Sequence, residues 1–132
     1  MTAGNVELVE RVYADWARGD FSSNDWAAPE FELVLADGPS PGRFRGLEEA
    51  AAGWGEFLSA FEGLQAVAEE VRAIDDERVL VLTKNIGRGK ASGFELGDMH
   101  TRGANVIHVR DGKVTKLVAY FERETALADL AL

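Results

Sequence analysis

The sequence predicts an α+β fold, with helices packed on one face of a curved antiparallel sheet. Three observations carry that reading. The stretch ANVIHVRDGKVTKLVAYFER, from Ala104 to Arg123, places Asp111-Gly112 between two runs rich in β-branched and aromatic residues. Asp-Gly in that setting signals a hairpin, because a type I′ turn needs φ > 0 at both central residues. Near the start, Val9, Val12, Tyr13 and Trp16 recur at i, i+3, i+4, i+7 and form one apolar helical stripe. Helical periodicity then gives way to strands after Leu64, so the two kinds of element are segregated along the chain.

Taken in order, residues Asn5 to Gly19 read as an amphipathic helix, with Asn5 as its cap, Glu7 supporting its N-terminus and Gly19 ending it. A short helical piece over Ser23 to Ala28 stops before Pro29. FELVLA, Phe31 to Ala36, is strand-like, and Asp37-Gly38-Pro39 opens a turn-rich loop running to Gly46. Leu47 to Leu64 is the second long helix, on the recurrence of Leu47, Ala51, Trp54, Leu58 and Phe61; Gly53 and Gly55 weaken it by roughly 1 kcal/mol each. Strands follow over Gln65–Ile74, Arg78–Arg88, Phe94–Arg110 and Lys113–Glu122, with Asp75-Asp76-Glu77 as a charged turn. A bulge is expected near Gly97 or Gly103. Glu124 to Leu130 adds a C-terminal helical turn.

The period-2 pleat sorts the hairpin side chains. Asn105, Ile107 and Val109 share one face, as do Leu117, Ala119 and Phe121; Val118, Tyr120 and Glu122 point the other way. Apolar residues occur on both faces, so both are expected to be covered. Helices cover the first. The second (Leu80, Leu82, Val106, Val118, Tyr120) is expected to meet a second chain, giving a homodimer through the sheet.

Composition narrows the function classes. At 132 residues the chain is one domain, and 46% hydrophobic with 28% charged residues is globular. There is no cysteine, which excludes a disulfide framework, a thiolate metal site and a cysteine nucleophile. The two histidines, His100 and His108, do not make a zinc site alone, so no metal and no cofactor are expected. A formal net charge of −9 with scattered basic residues opposes nucleic-acid binding. The N-terminal run lacks a cationic signal-peptide region, and no apolar run approaches ~20 residues. The expectation is a cytoplasmic protein with no membrane contact. Gly87, Gly89 and Gly93 lack the Lys-Ser/Thr of a phosphate loop and read as a flexible loop.

Three stretches then match a known superfamily in order and spacing: VERVYADWARGDF, FELVLADG followed by GRFRGLEEAAAGW, and ANVIHVRDGKVTKLVAYFERETAL. On these the chain resembles the SnoaL-like proteins of the nuclear-transport-factor-2-like superfamily, which includes ketosteroid isomerase, limonene epoxide hydrolase and polyketide cyclases. The resemblance implies a cone-shaped roll with a pocket between helices and sheet, suited to a small hydrophobic or carbonyl-containing ligand. Ketosteroid isomerase uses an aspartate base with an oxyanion hole of a tyrosine and a protonated aspartate. Carried over, the base falls on Asp37 and the protonated aspartate on Asn105, whose neutral amide is also a donor. The tyrosine position falls on Val12. Tyr13, one residue or ~100° of helix away, is not expected to replace it directly.

The epoxide hydrolase positions fall on Thr83, Asn85 and Ala119, which do not activate water as carboxylates would. The cyclase acid has only Glu122 as a counterpart, on the face away from Asn105. The catalytic candidates are therefore Asp37, as a base removing the proton α to a carbonyl, and Asn105, steadying the enolate. Tyr13, Trp16, Trp54, Thr83, Asn85 and Phe121 are the ligand-binding candidates. Asp37 also reads as an ordinary turn aspartate, and a non-catalytic ligand-binding or dimerisation module is the competing function. His108 points opposite to Asn105; the direction of His100 is open.

Overall fold

Asp111 and Gly112 adopt φ of 52° and 76°, and Arg110 pairs with Lys113 directly across them. The turn expected from Asp-Gly is formed, and it fixes the register of the last two strands. A computed structural model describes residues 2–20, 25–36, 42–59, 61–89, 98–120 and 122–130. Its elements are α1 (Thr2–Ala17), β1 (Ala27–Leu35), β2 (Gly42–Arg45), α2 (Leu47–Ser59), β3 (Phe61–Ala73), β4 (Arg78–Gly89), β5 (Asp98–Arg110), β6 (Lys113–Tyr120) and α3 (Arg123–Asp129). The strands form one open sheet in the order β2-β1-β6-β5-β4-β3. β1 runs parallel to β6, and the other neighbours are antiparallel.

Alternation along the strands separates two cores. On the inner face, Val79 and Val81 of β4, Ile107 and Val109 of β5, Leu117 of β6 and Leu33 of β1 pack with Leu8, Val9, Val12, Tyr13 and Trp16 of α1. The α1 stripe read from the sequence is thus the buried one. Asn5 is not its cap. It lies inside the helix, 8% exposed, and its Nδ2 donates to the Asp76 carbonyl at 2.8 Å, which ties α1 to the β3–β4 turn. On the outer face, Leu80, Ala104 and Val106 pack against Ala126 of α3. The premise that helices are used up on the first face is therefore corrected: α3 covers part of the second.

Four boundaries differ from the sequence reading. Ala27 and Ala28, expected to end a short helix, begin β1 instead, because Ala27 pairs with Val114 and Val114 N–H donates to the Trp26 carbonyl at 2.8 Å. Pro29 is tolerated there because the β1–β6 register shifts between Ala27 and Glu32. Gly42–Arg45, expected as loop, is an edge strand whose Phe44 turns inward. α2 stops at Ser59, and Phe61 and Glu62 pair with Gly89 and Arg88; Phe61 belongs to a strand and not to the helical stripe.

The buried side of α2 also differs by one position: Ala50 is buried while Ala51 is exposed. Gly53 faces Phe44 so closely that an added Cβ would come within 2.7 Å of the ring, a reason for glycine that helix propensity does not give. At Gly103 the expected bulge is absent, since Thr83↔Gly103 lies in continuous register. A Cβ there would meet the Tyr120 carbonyl oxygen at 2.4 Å; close backbone approach requires the glycine. The other bulge candidate, Gly97, lies outside the described residues.

Candidate functional site

β5 and α1 position the pair on which the site turns. On β5, Asn105 sits opposite Val81 and Ala119. Because Ile107, two residues on, belongs to the inner core, the pleat aims Asn105 at α1. There its Nδ2 donates a hydrogen bond to the hydroxyl oxygen of Tyr13. Tyr13 is 2% exposed, and burial pushes its phenol well above the ordinary value of 10.0, against a smaller opposing effect of the Asn105 hydrogen bond. Tyr13 therefore stays protonated across the ordinary pH range, holding an O–H that donates as well as accepts. Both Val12 and Tyr13 lie on the buried stripe, and it is the Tyr13 hydroxyl that reaches Asn105.

Around this pair stands an aromatic wall. Trp16 packs edge-on to Tyr13 with centroids 4.8 Å apart, and lies 5.7 Å from both Trp54 of α2 and Trp26. Trp26 in turn meets Phe31 of β1 at 5.5 Å. All three tryptophans of the chain thus form one cluster that meets Tyr13 through Trp16. Leu35, Trp54, Ala68, Ala119 and Asn105 are only partly buried on this side of the sheet.

Thr83, 1% exposed, lies on the same inner face one pleat beyond Val81, and its hydroxyl oxygen would be 3.3 Å from a Cβ at Gly103. The structure thus brings Tyr13, Trp16, Trp54, Thr83 and Asn105 to one side of the sheet. Asn85 is on β4 opposite Thr101, with its side chain outside the described part. Asp37 and Phe121 also lie outside the described residues, as does the side chain of His100. Glu122 lies beyond the end of β6, at the exposed N-cap position of α3.

Sequence reasoning did not find Trp26, Phe31 or Arg123 as supports of this region. Arg123 donates to the Thr83 carbonyl at 3.0 Å, the Gly103 carbonyl at 3.3 Å and Glu69 Oε1 at 2.7 Å. It stands where the β3–β4 ladder is broken between Ala68 and Glu70 and where β6 ends. Its hydrogen bond holds the Glu69 carboxyl below the usual range. Nothing local in ERE marks this role.

Among the described residues no group of three His, Asp or Glu comes together as a metal would need. No described helix is long and apolar enough to cross a membrane. A separate cleft of about 580 Å³ lies beyond α1 near the β5–β6 turn, lined by Leu8, Arg11, Asp15, Asp25 and Lys113 among others; neither Asn105 nor Tyr13 reaches it.

Residues 9–117 match the model of the SnoaL-like domain. The chain belongs to the SnoaL-like family. Solved SnoaL-like and related structures agree with the fold. A protein described as a SnoaL-like polyketide cyclase from Jannaschia sp. CCS1 is 20% identical, with 90% of this chain and 85% of that one covered at a TM-score of 0.74. A nuclear-transport-factor-2-like protein of unknown function from Burkholderia pseudomallei K96243 is 16% identical, with 98% of each chain covered and a TM-score of 0.76. A protein of ketosteroid isomerase-like fold from Catenulispora acidiphila, solved with trimethylamine, is 15% identical over 96% of this chain and 93% of that one, TM-score 0.71. At these identities the likeness concerns the fold. No curated protein sequence matches this SnoaL-like chain.

Proposed function

We propose that this SnoaL-like protein binds a small, largely apolar molecule bearing a carbonyl group between its helices and the inner face of the sheet. The observation that carries the reading is the Asn105–Tyr13 hydrogen bond beside an aromatic wall. A neutral amide and a phenol held protonated by burial are oxygen-binding groups, and both remain donors at any physiological pH. The tryptophans supply apolar area and flat faces for the rest of the ligand.

In the catalytic form of this reading the protein is a cofactor-independent isomerase or cyclase. Asp37 removes the proton α to the carbonyl, and the Asn105 and Tyr13 donors take up charge on the enolate oxygen. Thr83 and Asn85 orient the ligand. A second reading, a non-catalytic binding module, is favoured by the described inner face, whose polar groups Asn105, Thr83 and Tyr13 are all neutral.

A screen of cyclic and aromatic ketones by thermal shift tests binding, since a bound ligand raises stability by mass action. At least one ketone is expected to raise the melting temperature in the parent and to do so less in Asn105→Ala. A ketone series that leaves the melting temperature unmoved overturns the proposal. With a turned-over substrate in hand, Asp37→Asn is expected to abolish reaction while binding persists; unchanged turnover removes Asp37 from the mechanism.

A further inference from the structure

On the outer face, strand register lines up four charged side chains and one imidazole across five strands. Arg45 of β2 is opposite Glu32 of β1, Glu32 is opposite Lys116 of β6, Lys116 is opposite His108 of β5 and His108 is opposite Arg78 of β4. Their neighbours Phe44, Leu33, Leu117, Ile107 and Val79 all belong to the inner core, so the pleat turns the row outward. We propose that this row docks an acidic segment of a partner protein.

Charge balance within the row supports this. Glu32, with its side chain 18% exposed, is approached by Arg45 at 3.2 Å, Lys116 at 3.6 Å and Arg43 at 3.7 Å. One carboxylate does not neutralise these cations, and they keep 74%, 34% and 52% of their side-chain surface exposed. At the far end Arg78 pairs with Asp75 at 2.8 Å and remains 37% exposed. α3 packs beside the row, on Leu80, Ala104 and Val106, and not over it. Val34 and Val118, one pleat away, are half-buried and offer apolar contact next to the cations.

The rest of the molecule selects the partner. A chain of net charge −9 repels an acidic segment over most of its surface, so attraction confined to this row orients the encounter as well as strengthening it. The same net charge opposes a nucleic acid. A second copy fits poorly: a two-fold contact centred on Lys116 opposes Lys116 to its equivalent and Arg45 to Arg78. The row spans four strand spacings, ~19 Å, which about six extended residues cover.

Fluorescence anisotropy of a labelled oligoglutamate peptide tests the proposal, with folding checked by tryptophan emission and melting temperature. Binding is expected at low salt and lost at high salt. Arg45→Glu/Lys116→Glu is expected to weaken it by about tenfold. Glu32→Gln, which frees the cations, is expected to tighten it by about threefold, a gain that misfolding does not produce. No binding at low salt, or affinity indifferent to both variants, overturns the proposal. So does tighter binding of oligothymidylate than of oligoglutamate. Sedimentation showing a dimer that the charge reversal dissociates overturns it in favour of the homodimer through the sheet.

Discussion

Replacing Tyr13 by Phe keeps the ring that packs on Trp16 and deletes the atom that accepts from Asn105. The cost follows from the unequal burial of the two partners. Asn105 is only partly buried, so its amide finds water when the hydroxyl goes, and Tyr13→Phe should cost about 1 kcal/mol, the net worth of one hydrogen bond. Asn105→Ala is different. It leaves the Tyr13 hydroxyl, 2% exposed, without its donor, and should cost about 2 kcal/mol.

The double variant removes both polar groups, so its cost should fall short of the sum by about 1 kcal/mol. Urea titration followed by tryptophan emission reads this directly, because Trp16 packs on Tyr13 and Trp26 and Trp54 pack on Trp16. The slope of the transition should stay constant while the midpoint moves. Costs that add within about 0.3 kcal/mol would refute the coupling and, with it, the inward placement of Asn105.

Other outcomes follow from the same packing. Gly53→Ala should destabilise by about 1–3 kcal/mol although alanine is the better helix former, because its Cβ meets the Phe44 ring at 2.7 Å; adding Phe44→Leu should recover part of the loss in thermal melts. Arg123→Met should cost about 1–3 kcal/mol by leaving the Thr83 and Gly103 carbonyls without this donor, and backbone amide exchange should rise first near the β3 bulge. His108 is held below its ordinary value of 6.5, by burial first and then by Lys116 and Arg78. The unfolded chain therefore takes that proton first. The contribution of His108 is full above pH 6.5 and is lost as pH falls through the folded-state value. In His108→Gln the urea midpoint should be flatter across that window.

How much of this was legible depends on how local each cause is. The β5–β6 turn was readable because its requirement, positive φ at Asp111 and Gly112, lies within the dipeptide itself. The α1 stripe was readable because its four apolar residues repeat with the helix period. β2 was not: four residues between Pro41 and Gly46 carry too little alternation, and they become a strand only because β1 offers them an edge. The end of α2 was misplaced for a related reason, since Phe61 continues the helical spacing and only pairing with Gly89 pulls it into the sheet.

At the site, alternation placed Asn105 and Thr83 on the inner face correctly. What it did not supply was the rotation of α1 against the sheet. That rotation decides whether position 12 or 13 presents its side chain to Asn105, and it is set by contacts 92 residues apart in sequence. Arg123 was invisible for the same reason: the carbonyls it holds lie beside a bulge on one strand and the end of another.

The most direct test of the account is the side-chain amide resonance of Asn105, assigned by its loss in Asn105→Ala, during titration with a cyclic ketone found by thermal shift. The account predicts that this resonance moves together with the tryptophan indole signals, and that Tyr13→Phe weakens binding by about 3–10-fold, the worth of one hydrogen bond. A ketone that binds while the Asn105 amide stays still and the Tyr13→Phe affinity is unchanged would contradict it.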